Sequence, residues 1–389
     1  MSATSQEPLR VLFILKNMAM GGISKVACQY MAALQKESSV KLSVLIFAPV
    51  RDTWAVDFFE SHHIDYRDGF MLDTGTAKKR FFLCKWLLKA RAHFQKKALS
   101  KRIRNILEQN DILLDFSSLE AYRYIRRAGK PMVGWVHCNF PSFQKRIAHH
   151  IALPEYARMV GLTDDFCRAY RQAYPELAEK VIRLYNPIDV DAARRAAEEP
   201  PVQHVPPPYF ITVQRLAAEE KATHTVIAAF ERFRKTHPEY HLCIVGDGPQ
   251  RDELHAQAAR VPHVTFTGSI PNPMPLIKGA KALILSSARK SREGFGYVLA
   301  EAQVQGVLAI AADVPSGPAD ILMSGKAGYL FEAESVDSLC ATLCHAVESP
   351  AESAEKVATA TAQLGRFRVE NIIADLVREL HSILQNSHE

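Results

Sequence analysis

The chain has 389 residues, of which 48% are hydrophobic and 23% charged, and a formal net charge of +6. This length predicts two domains, because a single hydrophobic core rarely grows beyond about 250–300 residues. The sequence has no apolar run of about 18 residues and no basic-then-apolar N-terminal order, so we expect neither a membrane span nor a secretory signal. Seven cysteines without a CxxC pair or metal-ligand spacing favour a cytosolic protein over a disulfide scaffold or a zinc protein.

Short apolar runs alternate with helical segments through the first half of the chain. The predicted strands cover 10–15, 40–49, 111–117, 131–139, 157–164 and 181–189. A segment with helical periodicity, 25–36, follows the first strand. Apolar strands that alternate with helices are typical of a parallel sheet buried on both faces. We therefore predict a doubly wound α/β domain over 1–195.

A proline-rich polar stretch, 196–208, precedes a second alternation of strands and helices. Proline continues neither a helix nor a central strand, so we interpret this stretch as an interdomain linker. The strands predicted beyond it cover 209–216, 240–245, 263–270, 282–288 and 307–314, with a helix over 223–238. We predict a second doubly wound domain over 209–368 and a final helix over 369–384. Ligands of such sheets bind at the carboxyl ends of the strands, which predicts a cleft between the domains.

One segment, 78–104, carries eleven lysines and arginines and no acidic residue, with aromatic and leucine side chains interleaved. Such a basic amphipathic pattern favours contact with an anionic membrane surface. A solvated helix face packed on the domain explains the same pattern, and nucleic acid is a third possibility that no nucleic-acid motif supports. The candidate membrane or acceptor contacts are Lys78, Lys79, Arg80, Lys85, Trp86 and Lys89.

Glycines and cations follow predicted strands in both domains. Gly21 and Gly22 precede the first helix, where a backbone can approach an anion closely, although a simple tight turn explains them too. Arg215 and Lys221 follow the first strand of the second domain and could clamp a diphosphate or pair with neighbouring glutamates. Gly246, in a strand-end turn, could line a nucleotide pocket or only turn the chain.

The stretch SREGFGYVLAEAQ, 291–303, places two carboxylates around a glycine-rich helix start. Glu293 and Glu301 are eight residues apart, roughly 12 Å along a helix axis, which is too far for an acid–base pair on one bond. The spacing suits hydroxyl groups at two ends of one long ligand, although Glu301 alone reads as an ordinary helical residue. His137, at a predicted strand end, is a candidate sugar contact or a structural histidine.

Several motifs occur together in order: YNPID, VQRLAAEEK, IVGDGPQRDEL, VTFTG and EGFGYVLAEA with its E-x7-E spacing. In this combination the chain, from Val11 to Leu384, resembles the retaining glycosyltransferases of family four. The resemblance implies the GT-B fold, in which two Rossmann-like domains face a central cleft. It also implies that 1–195 binds the acceptor, that 209–368 binds a nucleotide sugar, and that 369–389 crosses back to the N-terminal domain.

The resemblance implies a role for each matching residue. Glu293 and His137 should contact the donor sugar, and Glu301 should hold the ribose hydroxyls. The remaining donor contacts are expected at Gly21, Gly22, Arg215, Lys221, Gly246, Gly294, Phe295, Gly296, Val298 and Leu299. Fixed cations aimed at the leaving diphosphate would lower the barrier electrostatically, so neither a metal nor another cofactor is expected.

Three features bear on these expectations. Asp189 and Asp191 form a DxD, but they follow YNP, away from the expected diphosphate site, so we predict a helix cap and not a metal site. Gln214 stands where the family usually has glycine, and Arg215 and Lys221 are one residue further apart than usual. The loop 287–293 is longer and more basic than usual, and it either meets an acceptor phosphate or faces solvent.

The leading hypothesis is a bacterial enzyme on the cytoplasmic face of the inner membrane. It would transfer a hexosyl or N-acetylhexosaminyl group, most plausibly from a UDP-sugar. The acceptor would be an envelope glycan, namely lipopolysaccharide or lipooligosaccharide, capsule or a lipid-linked oligosaccharide. The alternatives are a GT-B sugar-nucleotide epimerase, which needs no acceptor, and a non-catalytic protein that binds nucleotide sugar or a membrane surface.

Overall fold

A computed structural model of the chain describes residues 7–19, 21–70, 101–147 and 151–386. Lys78, Lys79, Arg80, Lys85, Trp86 and Lys89 lie outside the described residues, as does the basic segment up to position 100. Within the described residues, no helix has both the length and the apolar character needed to cross a bilayer.

The N-terminal half forms a parallel sheet. Its described strands are β1 (Leu9–Leu15), β2 (Val40–Ile46), β3 (Tyr66–Arg67), β4 (Ile112–Asp115), β5 (Met132–Trp135), β6 (Arg158–Gly161) and β7 (Val181–Arg183). They lie in the order β3-β2-β1-β4-β5-β6-β7, so the strand order reverses between β1 and β4. The pairing is in register along β1, from Leu9 opposite Val40 to Leu15 opposite Ile46.

Helices cover both faces of this sheet. They are α1 (Gly22–Leu34), α2 (Thr53–Ser61), α3 (101–108), α4 (Tyr122–Ile125), α5 (Phe140–Arg146), α6 (Asp164–Ala173) and α7 (Val190–Ala196), with 3-10 turns at Leu153–Glu155 and Pro175–Lys180. Three of them begin at side-chain caps. Asn139 accepts a hydrogen bond from the Ser142 N–H (3.1 Å), and Thr163 accepts one from the Phe166 N–H (3.2 Å). Asp189 caps α7 in the same way.

The C-terminal half repeats this architecture. Its described strands are β8 (Tyr209–Val213), β9 (His241–Val245), β10 (Val264–Gly268), β11 (Ala282–Leu285), β12 (Leu308–Asp313) and β13 (Tyr329–Glu332). They lie in the order β10-β9-β8-β11-β12-β13 and are all parallel, so this order reverses between β8 and β11. The helices are α8 (Thr223–Phe233), α9 (Arg251–Ala258), α10 (Met274–Lys278), α11 (Tyr297–Val304), α12 (Gly317–Ile321), α13 (Val336–Glu348), α14 (Pro350–Ala362) and α15 (Val369–Gln385), with a 3-10 turn at Leu364–Phe367.

The central strands are buried on both faces, which explains why they are continuous apolar runs. Every residue of β4, β5 and β11 is buried. One apolar cluster contains residues of both halves and joins them, and a second and third cluster fill the outer layer of each sheet. Burial of apolar surface stabilises the folded state by about 25 cal/mol per Å², so these layers are the main source of stability.

The chain crosses between the halves a second time near its end. The Ile188 N–H donates to the Phe367 carbonyl (2.7 Å), and the Val369 N–H donates to the Ile188 carbonyl (3.1 Å). Helix α15 then packs against α1 of the first half. Rings of Tyr185, Phe295 and Phe367 surround the crossing, with centroid separations of 5.2–5.9 Å.

Candidate functional site

A cleft of about 840 Å³ lies where the carboxyl ends of strands from both sheets meet. It is lined by Gly22, Ile23, Ser118, His137, Cys138, Ser142, Lys145, Arg146, Glu220, Lys221, Lys290, Ser291, Arg292 and Glu293. These residues follow β1, β4 and β5 in one sheet and β8 and β11 in the other. Both reversals of strand order therefore face the same cleft, which is the position where open parallel sheets bind ligands.

Glu293 lies in this cleft within a local polar network. The Lys221 ammonium forms an ion pair with its Oε2, and the Ser287 hydroxyl donates to the same oxygen (3.2 Å). The Gly296 N–H donates to Oε1 (3.0 Å). Only 16% of the Glu293 side chain and 15% of the Lys221 side chain are exposed, so the pair is weakly screened by solvent. All of these partners belong to the C-terminal half.

This network decides the charge of Glu293. Burial alone would raise the pKa of the carboxyl. The Lys221 ammonium and the hydrogen bonds from Ser287 and the Gly296 N–H outweigh it, so the pKa lies below the ordinary value. The group is therefore a carboxylate at neutral pH, able to accept hydrogen bonds from hydroxyl groups.

Glu301 lies on α11 and has a partner from the opposite half. The Lys25 ammonium of α1 forms an ion pair with its Oε1, and Lys25 also lies 5.2 Å from the centroid of the Tyr297 ring. The Glu301 side chain is 7% exposed and the Lys25 side chain 49% exposed. Lys25 was not among the residues predicted from the sequence. One signal was present in the sequence. The helix dipole disfavours a cation in the first turn of a helix, so Lys25 at this position indicates a carboxylate partner from elsewhere in the chain.

His137 follows β5 and faces the C-terminal half. Its Nε2 donates to the Phe116 carbonyl (2.7 Å), which leaves Nδ1 as the acceptor in the neutral ring. Burial lowers the pKa of the imidazole to about 4, and the nearby Arg146 acts in the same direction. The imidazole is therefore neutral at physiological pH.

The backbone of Gly294, in the Glu293 loop, lies close to the backbone of the N-terminal half. A Cβ at this position would lie 2.5 Å from the His137 carbonyl oxygen and 3.0 Å from the Cys138 nitrogen. Only glycine fits this backbone-to-backbone contact. Next to it, the Asn139 amide donates to the Ser291 carbonyl across the cleft (2.8 Å). The loop and the end of β5 are thus held together by shape and one hydrogen bond.

The remaining candidates of the motif have structural positions. Gly296 has φ +84° and is the N-cap of α11, where a left-handed residue is needed. Phe295 and Leu299 are buried in the core, so only their backbone could meet a ligand, and Val298 packs partly against that core. Gly21 is the N-cap of α1 and provides no side-chain cap, so the first N–H groups of α1 are open beside the cleft.

Two other candidates, Arg215 and Gly246, lie apart from this cluster, and so does Gln214. Arg215 is exposed and does not line the cleft. Gly246, at φ +136°, lies against the Gln214 carbonyl, where a side chain would collide. Gln214 is buried, and its amide donates to the hydroxyls of Thr223 and Ser286 (both 2.9 Å). This glutamine therefore ties the ends of β8 and β11 together in place of the usual glycine.

The DxD motif is a helix cap, as predicted. Asp189 Oδ1 accepts a hydrogen bond from the Ala192 N–H (2.8 Å) at the start of α7. Among the residues that the structure describes, one group of three possible metal ligands occurs, His237, Cys344 and Glu348, and none of them lines the cleft.

Comparisons with known proteins give a glycosyl transferase family model and several relatives named as glycosyltransferases. Residues 194–363 match the family model of group 1 glycosyl transferases. A glycogen synthase of Mycobacterium tuberculosis is 31% identical over 195 residues, which is 49% of this chain and 45% of the relative. The lipopolysaccharide 1,6-galactosyltransferase of Salmonella typhimurium is 27% identical over 232 residues, which is 57% of this chain and 60% of the relative. The chain thus spans about half the length of the curated relatives it matches.

Solved structures resemble the chain over almost its whole length. The Anabaena protein HepE, solved with UDP and glucose, has a TM-score of 0.72 and 19% identity and covers 96% of this chain and 100% of its own. At this identity the likeness concerns the fold alone. Two Rossmann-like parallel sheets with a cleft between their carboxyl ends, shared with glycosyltransferases of this architecture, identify the fold of the chain as GT-B.

Proposed function

We propose that the chain is a retaining glycosyltransferase of family four. It transfers a hexosyl or N-acetylhexosaminyl group from a UDP-sugar to a bacterial envelope glycan. The observation that carries this proposal is the ionised Glu293–Lys221 pair in a cleft to which both strand-order reversals contribute. The group 1 family model over residues 194–363 supports the class of reaction.

The donor is held at three points in this proposal. Glu293 accepts hydrogen bonds from the sugar hydroxyls, and Glu301 accepts them from the ribose. The open N–H groups at the start of α1, beside Gly22, and the Lys221 ammonium face the diphosphate, because helix N-termini and cations both favour anions. Lys25 moves aside from Glu301 or shares it when the ribose arrives.

The reaction follows from where charge develops. The bond between the anomeric carbon and the phosphate oxygen breaks, and the acceptor hydroxyl oxygen bonds to the same face of that carbon. The proton of this hydroxyl goes to the departing phosphate. Lys221 and the α1 N–H groups stabilise the negative charge on the phosphate, so the step needs neither a metal nor another cofactor. His137, neutral and with Nδ1 free to accept, orients a sugar hydroxyl.

The acceptor and the location are part of the same proposal. One relative acts on lipopolysaccharide by its name, and a solved neighbour of the same fold is an outer core galactosyltransferase. An envelope glycan of the lipopolysaccharide, capsule or lipid-linked type fits both. We place the enzyme at the cytoplasmic face of the inner membrane, held by the basic segment 78–104. Nucleic acid is not a partner in this proposal.

A thermal-shift panel tests the donor. UDP, GDP, ADP, CMP and their common sugars are added to the wild-type chain, to Glu301→Ala and to the control Glu231→Ala, an exposed glutamate of α8. At a 100-fold excess over Kd, we expect UDP or a UDP-sugar to raise the melting temperature by about 5 °C. The shift should persist in the control and disappear in Glu301→Ala.

Three outcomes would overturn the proposal. If no nucleotide shifts the melting temperature, the cleft is not a donor site. If a UDP-sugar binds and changes into its epimer without an added acceptor, the chain is a sugar-nucleotide epimerase. If it binds without any turnover when envelope glycan extracts are added, the chain is a binding protein.

A further inference from the structure

The cleft carries more positive charge than its own acids neutralise. Lys145, Arg146, Lys221, Lys290 and Arg292 line it, against Glu220 and Glu293. Both acids are engaged, because Glu293 pairs with Lys221 and Glu220 pairs with Arg292 (3.0 Å). The surplus is therefore three cations in a single cleft.

The three surplus cations come from both halves of the molecule. Lys145 and Arg146 end α5 of the N-terminal half, and Lys290 lies in the loop after β11. Arg146 lies 3.8 Å from Glu120, but that acid is closer to Lys16 (2.8 Å). Over the described ranges, neither Lys145 nor Lys290 forms an ion pair, and both are exposed to the cleft.

The dipole of α5 explains only part of this arrangement. The dipole favours cations in the last turn of a helix, which accounts for Lys145 and Arg146. Lys290 and Arg292 lie in a loop of the other half, where no such effect acts. Arg292 has Glu220 as its counter-ion, but over the described ranges Lys145 and Lys290 have none. Like charges without an anion between them repel, so the convergence of these two lysines from opposite halves indicates a negatively charged ligand.

We propose that Lys145, Arg146, Lys290 and Arg292, the cationic wall, bind a phosphate group on the acceptor sugar. This inference rests on the proposed transferase function. Lysine supplies point charges and arginine a planar fork of donors, both suited to phosphate oxygens. The Ser142 hydroxyl in the same lining offers a further hydrogen bond. The donor diphosphate has its own partners in Lys221 and the start of α1, so the wall serves the second substrate.

Calorimetric titration of the full-length chain tests this assignment. Glucose 6-phosphate and glucose are the probes, each titrated with and without saturating UDP. The variants are Lys145→Gln with Lys290→Gln, and the control is Lys281→Gln, an exposed lysine at the opposite end of β11. We expect glucose 6-phosphate to bind at least about tenfold more tightly than glucose to the wild type and the control. The double variant should lose this preference and keep its affinity for UDP.

Each contrary result has its own meaning. Equal binding of the two sugars to the wild type would overturn the phosphate site, with or without UDP present. A double variant that loses UDP affinity to the same extent would assign the wall to the donor diphosphate instead. Binding to phosphatidylglycerol vesicles that depends on the wall, without a preference for glucose 6-phosphate, would assign it to a lipid surface. Failure of UDP itself to bind would count against the transferase function and leave the sugar comparison readable.

Discussion

The two ends of the stretch 291–303 hold their carboxylates in different ways. Glu293 receives its ion pair and hydrogen bonds from Lys221, Ser287 and the Gly296 N–H, all within the C-terminal half. Glu301 receives its ion pair from Lys25, in the first turn of α1 of the N-terminal half. If the halves separated, Glu293 would keep its partners and Glu301 would lose Lys25.

Glu293 and Glu301, eight residues apart, therefore differ in whether their ionised and oriented state depends on the contact between the halves. A locally satisfied Glu293 stays ionised and oriented whatever the distance between the halves, as a group that acts in the chemical step requires. Glu301, paired with Lys25 of the N-terminal half, depends on the contact between the halves. A ligand that takes the place of Lys25 at Glu301 therefore also changes how firmly the two halves are joined.

The largest expected effect tests the Glu293 end. In Glu293→Gln the amide keeps the shape and can still accept from the Gly296 N–H, but Lys221 loses its counter-charge. We expect kcat to fall by about 100- to 1000-fold, as for removal of one preorganised electrostatic group, with UDP affinity nearly retained. Steady-state transfer assays measure this.

The control is Glu332→Gln, an exposed acid that pairs with Arg289 of the same loop (2.8 Å). It should retain the wild-type kcat. A Glu293→Gln enzyme with wild-type kcat would break the comparison, because both carboxylates would then serve binding alone.

Gly294→Ala tests how the Glu293 loop meets the other half. The new methyl group would lie 2.5 Å from the His137 carbonyl, so the loop or the halves must shift. A displacement of about 1 Å costs roughly 100-fold in rate, which is the decrease in kcat that we expect. Gly365→Ala is the matched control, since its Cβ would meet only the Asn371 amide at 3.9 Å. A larger radius of gyration by small-angle scattering for Gly294→Ala alone would locate the shift between the halves, and unchanged kcat would contradict the prediction.

The lowered pKa of His137, at the same contact, predicts that the free energy of unfolding depends on pH. Burial lowers its pKa to about 4 in the folded chain, against about 6.5 when unfolded. Between these two pKa values the imidazole is protonated in the unfolded state and neutral in the folded state. The contribution of the neutral His137 to the free energy of unfolding is therefore complete above pH 6.5 and is lost as the pH falls towards 4. Between pH 7.5 and 5 the wild type should lose up to about 2 kcal/mol more than His137→Gln in urea unfolding.

The exposed His224 provides the control for this measurement, as His224→Gln. The control should lose stability in parallel with the wild type. If His137→Gln also runs parallel to the wild type, His137 is not held neutral in the folded protein.

The smallest effect belongs to the Glu301 end. Because Lys25 is half-exposed, we expect a coupling free energy of about 1 kcal/mol between Lys25→Gln and Glu301→Gln in a double-mutant cycle. The same cycle for Lys221→Gln and Glu293→Gln should give about 2–3 kcal/mol, since both side chains are mostly buried. Urea midpoints at 50 and 500 mM salt measure both cycles. A larger coupling for the Lys25 pair would reverse the comparison.

Much of the fold could be predicted because buried parallel strands are continuous apolar runs. The runs at 10–15 and 282–288 contain β1 apart from Leu9, and all of β11. Two strands were not predicted. β3 has only two residues, too few for any periodicity, and β13 is a four-residue edge strand with only Tyr329 and Phe331 buried. The predicted helix 369–384 matches α15, in which Ile383 is buried and Leu384 is partly buried.

The site was predictable where its residues belong to one motif or follow a predicted strand, as Gly22, His137 and Lys221 do. Glu293, Gly294 and Gly296 stand together in one motif, so their type and spacing indicate a ligand site. Lys25 and Glu301 are 276 positions apart, and no local pattern joins them. The cationic wall could not be assembled either, because α5 and the loop after β11 meet only through the arrangement of the two sheets.

The second crossing of the chain has a consequence for synthesis on the ribosome. The apolar face of α1, near the beginning, is covered by α15, which is among the last segments to be made. The apolar face of α1 in the N-terminal half therefore stays uncovered by α15 while about 200 further residues emerge from the ribosome, at about 5–20 residues per second. A chain truncated before Val369 would leave the N-terminal half with an open apolar surface for chaperones to bind.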